Sequence, residues 1–138
     1  MKTFVTAIAA IVALTGPPVP SARAETPAEV AANKTLVVKF WHECFDHQDL
    51  ACAESFLVED YIQHNPTVAT GRAGFHEAFS KFWPRPLAPE QVKTTKFEAV
   101  IGEGDLVQLV QRLDRPEPAD PTKTYASYWF DLFRVKNG

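Results

Sequence analysis

The sequence predicts an α+β fold in which helices pack on one face of a curved, mostly antiparallel sheet. Three observations carry this reading. Apolar residues recur at helical spacing through the first half of the chain. In the second half they alternate at strand spacing. Pro84, Pro86 and Pro89 separate the two halves, and a proline-rich stretch permits neither helix nor ladder.

The first element is a targeting segment. Met1-Lys2 gives a short positive start, and Phe4 to Leu14 is an apolar run of secretory length. Gly16-Pro17-Pro18 breaks the run, and Ala22-Arg23-Ala24 fits the small-x-small cleavage rule. The run is shorter than the roughly 20 apolar residues that span a bilayer. Residues 1–24 are therefore read as a signal peptide and the product as periplasmic or secreted, with no membrane attachment after cleavage. The competing reading is an uncleaved anchor.

Residues 25–138 form one small domain, large enough to bury a core. Without Lys2 and Arg23 the 12 basic residues face 17 acidic ones, a net charge of −5. No basic stripe remains, which argues against nucleic acid as a partner. An aromatic share of 12% in so small a domain suits a lined cavity as well as a core.

Residues 27–46 read as the first helix. Val30, Val37, Phe40, Trp41, Cys44 and Phe45 share one apolar face, and Pro27 fits the first turn. Asp49 can cap a short second helix that runs through Phe56. A brief strand, Tyr61 to His64, ends at Asn65-Pro66. Gly71 opens a third helix, with Phe75, Phe79 and Phe82 in a stripe that Trp83 extends. Gln91 to Ile101 alternates, placing Phe97, Ala99 and Ile101 on one face. Gly102-Glu103-Gly104-Asp105 is a hairpin turn, and 106–113 a second strand. Three prolines make 114–122 a loop, and 123–135 is a long third strand.

Cys44 and Cys52 enclose a short loop. Export permits a disulfide between them; the alternative is a pair of buried thiols. His42 and His47 do not share a helix face, and no paired-cysteine spacing occurs, so no metal site is expected. Asn33-Lys34-Thr35 is a formal glycosylation sequon within the first helix and carries little weight.

Asp131 is a lone acid on a strand face shared with Tyr125, Ser127, Trp129 and Phe133. Burial there raises a carboxyl's pKa, which suits proton transfer. His64 is a candidate base, because imidazole titrates near neutral pH. His64 and Asn65 point to opposite faces of a regular strand. Trp41, Phe79, Trp83, Gln111 and Trp129 are candidate pocket walls. For the helical aromatics the alternative is ordinary core packing.

The element order, Tyr61-Ile62-Gln63-His64-Asn65-Pro66, Gly71 before the Phe helix, and Phe130-Asp131-Leu132-Phe133-Arg134-Val135-Lys136-Asn137-Gly138 together resemble the SnoaL-like polyketide cyclase group of the nuclear-transport-factor-2-like superfamily. The resemblance covers residues 25–138 and implies a cone-shaped barrel. It also implies that the domain is C-terminally truncated, since such domains usually continue into a last strand. The chain is then a fragment or degenerate, or draws the partner strand from another chain, as in a homodimer through the sheet. Ketosteroid isomerase, of the same superfamily, supplies a mechanistic analogy. Its general base corresponds to Asn65, its oxyanion-hole acid to Asp131 and, by spacing, its oxyanion-hole tyrosine to Trp41. The resemblance thus implies a cofactor-free lyase, isomerase or cyclase that acts on a small apolar carbonyl compound through an enolate. Asp131 would be a neutral hydrogen-bond donor and His64 the proton carrier. The alternative is a non-catalytic small-molecule-binding or interaction module of the same fold.

Overall fold

The computed structural model describes residues 25–138, and the expected signal peptide at 1–24 lies outside them. Three helices lead into a three-stranded antiparallel sheet of order β1-β2-β3. The helices are α1 (Pro27–Phe40), α2 (Leu50–Phe56) and α3 (Arg72–Phe82); the strands are β1 (Phe97–Glu103), β2 (Leu106–Pro116) and β3 (Thr124–Arg134). Among the described residues the sheet does not close, so the cone-shaped barrel is corrected to an open α+β layer.

Local chemistry accounts for the helix ends. Thr26 and Glu29 form a reciprocal capping box around Pro27, which satisfies two orphan donors at the start of α1. Asn33, the sequon residue, donates to Glu25 and to the carbonyl of Gly104, tying α1 to the β1–β2 turn. The expected single helix 27–46 changes geometry at Phe40. Trp41–Phe45 form a π-helical turn, closed by Asp46 N–H donating to the Trp41 carbonyl at 3.0 Å. The wider turn stacks Trp41 on Phe45, with ring centroids 4.5 Å apart.

Asp46, at the end of that turn, is a buried carboxylate with its acceptors filled. It accepts from the Thr95 amide at 3.0 Å and the Thr95 hydroxyl at 2.5 Å, and His42 Nδ1 lies 2.8 Å away. These bonds clamp the approach to β1 onto the helix. Asp49 caps α2 by accepting from the Cys52 amide, as expected. Cys44 and Cys52 are disulfide-bonded across the break. Closing so short a loop contributes about 2.5 kcal/mol by the chain-entropy argument.

Two expected elements differ. Tyr61 to His64 forms no strand and pairs with none among the described residues. The Gly71 amide donates to the Tyr61 carbonyl at 2.6 Å and the Arg72 amide to that of Glu59 at 3.1 Å, so a loop closure takes the place of a ladder. Gly71 manages this with φ at 91°, a region closed to most side chains. β1 begins at Phe97 rather than Gln91, because Pro89–Gln91 turn into a short 3-10 helix. A bulge between Phe97 and Ala99 then flips the alternation. Phe97 and Val100 face the helices, while Ile101 is turned outward and 54% exposed, so the expected Phe97-Ala99-Ile101 face is corrected. The hairpin turn narrows to Gly104-Asp105, with Gly104 at φ 56°, and β2 runs on to Pro116.

The core has two parts. Phe40, Cys44, Ala53 and Phe75 form one, among the helices. Val37, Val107 and Leu109 form the other, where α1 meets the sheet. Phe133 of β3 packs against both, with its ring 5.7 Å from Phe40. Phe133→Ala should therefore lower stability by about 3 kcal/mol, as large-to-small core changes do. Denaturant unfolding of parent and variant measures it, and a loss below about 1 kcal/mol would show that the two parts do not depend on this ring.

Candidate functional site

β2 and β3 pair so that Leu109 lies opposite Asp131 and Gln111 opposite Trp129. Strand alternation puts Gln111, Trp129, Asp131 and Phe133 on the helix-facing side, as expected. Leu109 is fully buried, and next to it Asp131 is half-buried. Gln111 Nε2 donates to one carboxylate oxygen of Asp131 at 3.3 Å, and Trp129 Nε1 donates to the other at 3.2 Å. Burial raises the Asp131 pKa above its ordinary value, and the two N–H donors partly offset that by favouring the ionised form.

Tyr61 completes the cluster. Its ring packs edge-on against Phe75. Its hydroxyl accepts from Gln63 Nε2 at 3.2 Å, which leaves its own proton free to donate. Burial raises its pKa, the negative charge of Asp131 raises it further, and the Gln63 bond acts in the opposite direction. Tyr61 is therefore a neutral phenol that senses the Asp131 carboxylate.

The expected residues divide. Asp131, Gln111 and Trp129 come together. His64 and Asn65 are exposed, and neither hydrogen-bonds Asp131. Asn65 folds into a local turn, accepting from the Thr67 amide and hydroxyl, and its own amide donates to the Gln63 side chain. Asn65 thus meets the cluster only through Gln63. Trp41, Phe79 and Trp83 lie among the core aromatics. Trp41 donates its N–H to Thr95, Phe79 stacks on Phe75 with centroids 4.1 Å apart, and Trp83 packs on Phe45. Two shallow surface depressions, of about 580 and 330 Å³, lie along α2 and α3 and share no residue with the Asp131 cluster.

Sequence reasoning placed Tyr61 and Gln63 in the motif that ends at Pro66 but not among the site residues. Their signal was the two-residue spacing: in an extended segment Tyr61 and Gln63 share one face while Ile62 and His64 share the other. Ile62 is indeed exposed.

Residues 37–138 match the family described as the SnoaL-like domain. The chain belongs to that family, within the nuclear-transport-factor-2-like superfamily. Among solved structures, TsrD from Streptomyces laurentii is similar, with 17% identity, coverage of 82% of this chain and 83% of that one, and a TM-score of 0.42. No curated protein sequence matches the chain.

The raised Asp131 pKa has a sign that can be tested. Between the unfolded and folded pKa values the native state holds more protons, so stability falls as pH rises through that window. Asp131→Asn removes this dependence. The stability of the variant relative to the parent should improve between about pH 3 and pH 7. Denaturation midpoints at the two pH values measure it, and a change in the opposite direction would mean that the carboxylate is stabilised in the fold.

Proposed function

We propose that this SnoaL-like protein binds a small apolar carbonyl compound and moves a proton next to its carbonyl group, without a cofactor. The reading rests on the placing of a half-buried carboxylate with a raised pKa beside a neutral phenol that feels its charge. Asp131 is the base. It takes a proton from the carbon next to the carbonyl, the C–H electron pair forms the enolate, and the Tyr61 hydroxyl donates to the developing oxyanion. Asp131 then returns the proton to another carbon, which isomerises the substrate. In a cyclase the enolate carbon instead attacks a second carbonyl, and the proton goes to the resulting alkoxide.

This differs from the roles implied by the ketosteroid isomerase analogy. Gln111 and Trp129 already donate to both oxygens of Asp131, an arrangement that suits an acceptor better than a neutral donor. Exposed His64 takes no part in the reading. One observation favours the non-catalytic alternative: Trp129 is 54% exposed, so water reaches one flank of the cluster. A binding pocket tolerates that better than enolate chemistry does.

Exchange of α-protons of small cyclic ketones into deuterated water, followed by NMR, separates the two. The parent should accelerate exchange. Asp131→Asn should lose about 10²-fold or more, and Tyr61→Phe about 10²-fold to 10³-fold. Exchange at the buffer rate with retained phenol binding, as a mimic of the enolate, would leave only the binding reading.

We also propose export to the periplasm or the exterior. The apolar run and cleavage pattern support it, as does the Cys44–Cys52 bridge, since disulfides persist in oxidising compartments. Mass spectrometry of the product should find a chain starting at Glu25. Recovery of intact Met1 from the membrane fraction would count against cleavage.

A further inference from the structure

The reaction above draws on Tyr61 and leaves Gln63 and Asn65, from the same motif, with no part in the chemistry. Both lie on a one-way chain of hydrogen bonds that ends at the Tyr61 hydroxyl. The chain starts in the turn. Asn65 Oδ1 accepts from the Thr67 amide at 3.0 Å and from its hydroxyl at 2.8 Å, and the Val68 amide donates to the Asn65 carbonyl at 3.1 Å. These bonds fix the direction of the Asn65 backbone, and Pro66 brings no N–H to compete. The Asn65 amide then donates to Gln63 Oε1 at 3.0 Å.

The polarity of the chain follows from that contact. A side-chain amide turned end for end keeps its shape, so its neighbours decide which end goes where. A backbone N–H can only donate, and it takes the oxygen end. The nitrogen end, which can only donate, is left facing the Tyr61 hydroxyl at 3.2 Å. There the phenol oxygen must accept. Its proton is turned away from Gln63, toward the side on which the charge of Asp131 is felt. Asp131 already accepts from Gln111 and Trp129.

We propose that Gln63 is a positioning and specificity-determining residue: held by the Asn65 amide, it fixes Tyr61 as a donor, so that the site selects a ligand presenting a carbonyl or enolate oxygen. The identity of that ligand rests on the proposed proton transfer; the direction of the chain stands without it. Gln63→Glu keeps the shape and reverses the chain. One carboxylate oxygen accepts from Asn65 and the other from the phenol, which then turns a lone pair toward the carbonyl. Gln63→Met fills a similar space but has no N–H, so the phenol proton is free to take either direction. Activity should therefore rank parent, then Met, then Glu. A side chain that merely filled space would rank Glu above Met, because Glu is the closer copy of Gln.

Exchange of the α-protons of cyclohexanone into deuterated water reads this order. Gln63→Glu should lose about 10²-fold to 10³-fold, as Tyr61→Phe does. The loss should fall mainly in kcat rather than KM, because the bond strengthens as the oxyanion forms. A milder loss for Glu than for Met overturns the proposal. A parent without exchange strikes the proton-transfer reading alone, and two measurements without substrate then decide. The Gln63 bond favours the phenolate, so Gln63→Met should move the Tyr61 absorbance titration upward, with Tyr61→Phe as the blank for Tyr125 and Tyr128. An unchanged or lower midpoint overturns the proposal. In NMR of the parent, where no variant has to fold, the Gln63 side-chain amide protons should show Overhauser contacts to the Tyr61 ring. Contacts to the Asn65 amide proton in their place mean that the chain runs the other way, and the proposal fails.

Discussion

The Phe133 ring couples the two parts of the core, with Trp41 bridging them a second time between Phe45 and Phe97. Phe133 packs against the helical cluster at Phe40 and against the sheet cluster around Val107 and Leu109. Every feature of the candidate site is measured from that anchor. Asp131 is two residues back on the same strand face and Trp129 two further, so fixing the ring fixes the direction in which both point. Across the gap, Tyr61 is held by Phe75, a member of the same helical cluster. The acid and the phenol are therefore positioned from opposite sides by one continuous packing unit.

Asp46 and Asp131 are sheltered carboxylates of different character. Asp46 receives three close contacts, from the Thr95 amide, the Thr95 hydroxyl and His42. A carboxylate so fully bonded is a structural tie, holding the approach to β1 against the π-turn. Asp131 has only two N–H donors, both longer than 3 Å, and one open flank. Its lone pairs are incompletely used, and its ionised form is penalised by burial. The second environment, rather than the first, leaves capacity for a bound molecule.

What could be read from the sequence was what local chemistry decides. Asp49 as a cap, the glycine hairpin at Gly104, and the face shared by Asp131, Trp129 and Phe133 each depend on a few neighbouring residues. What could not be read depends on distant partners. The π-turn at Trp41 coincides with a clamp on Thr95, more than fifty residues away in sequence. The segment at Tyr61 carries a strand pattern, but whether it joins a ladder depends on an available neighbour, and here Gly71 takes its carbonyl instead. His64 was singled out for its imidazole and Asn65 for its family position, and the two-residue spacing that puts Tyr61 and Gln63 on one face was not used.

The bulge in β1 has an implication for how this strand can vary. Ala99-Val100-Ile101 is apolar at three consecutive positions, so alternation cannot tell which side belongs inside. The extra residue at the bulge resolves the tie in favour of Val100. A single-residue deletion there would not unfold a pattern so much as invert it, exchanging Val100 for Ala99 and Ile101 beneath α1. Both versions present a greasy surface to the helix. The strand thus holds a latent second arrangement, one codon away, and a lineage could reach it without passing through a polar core.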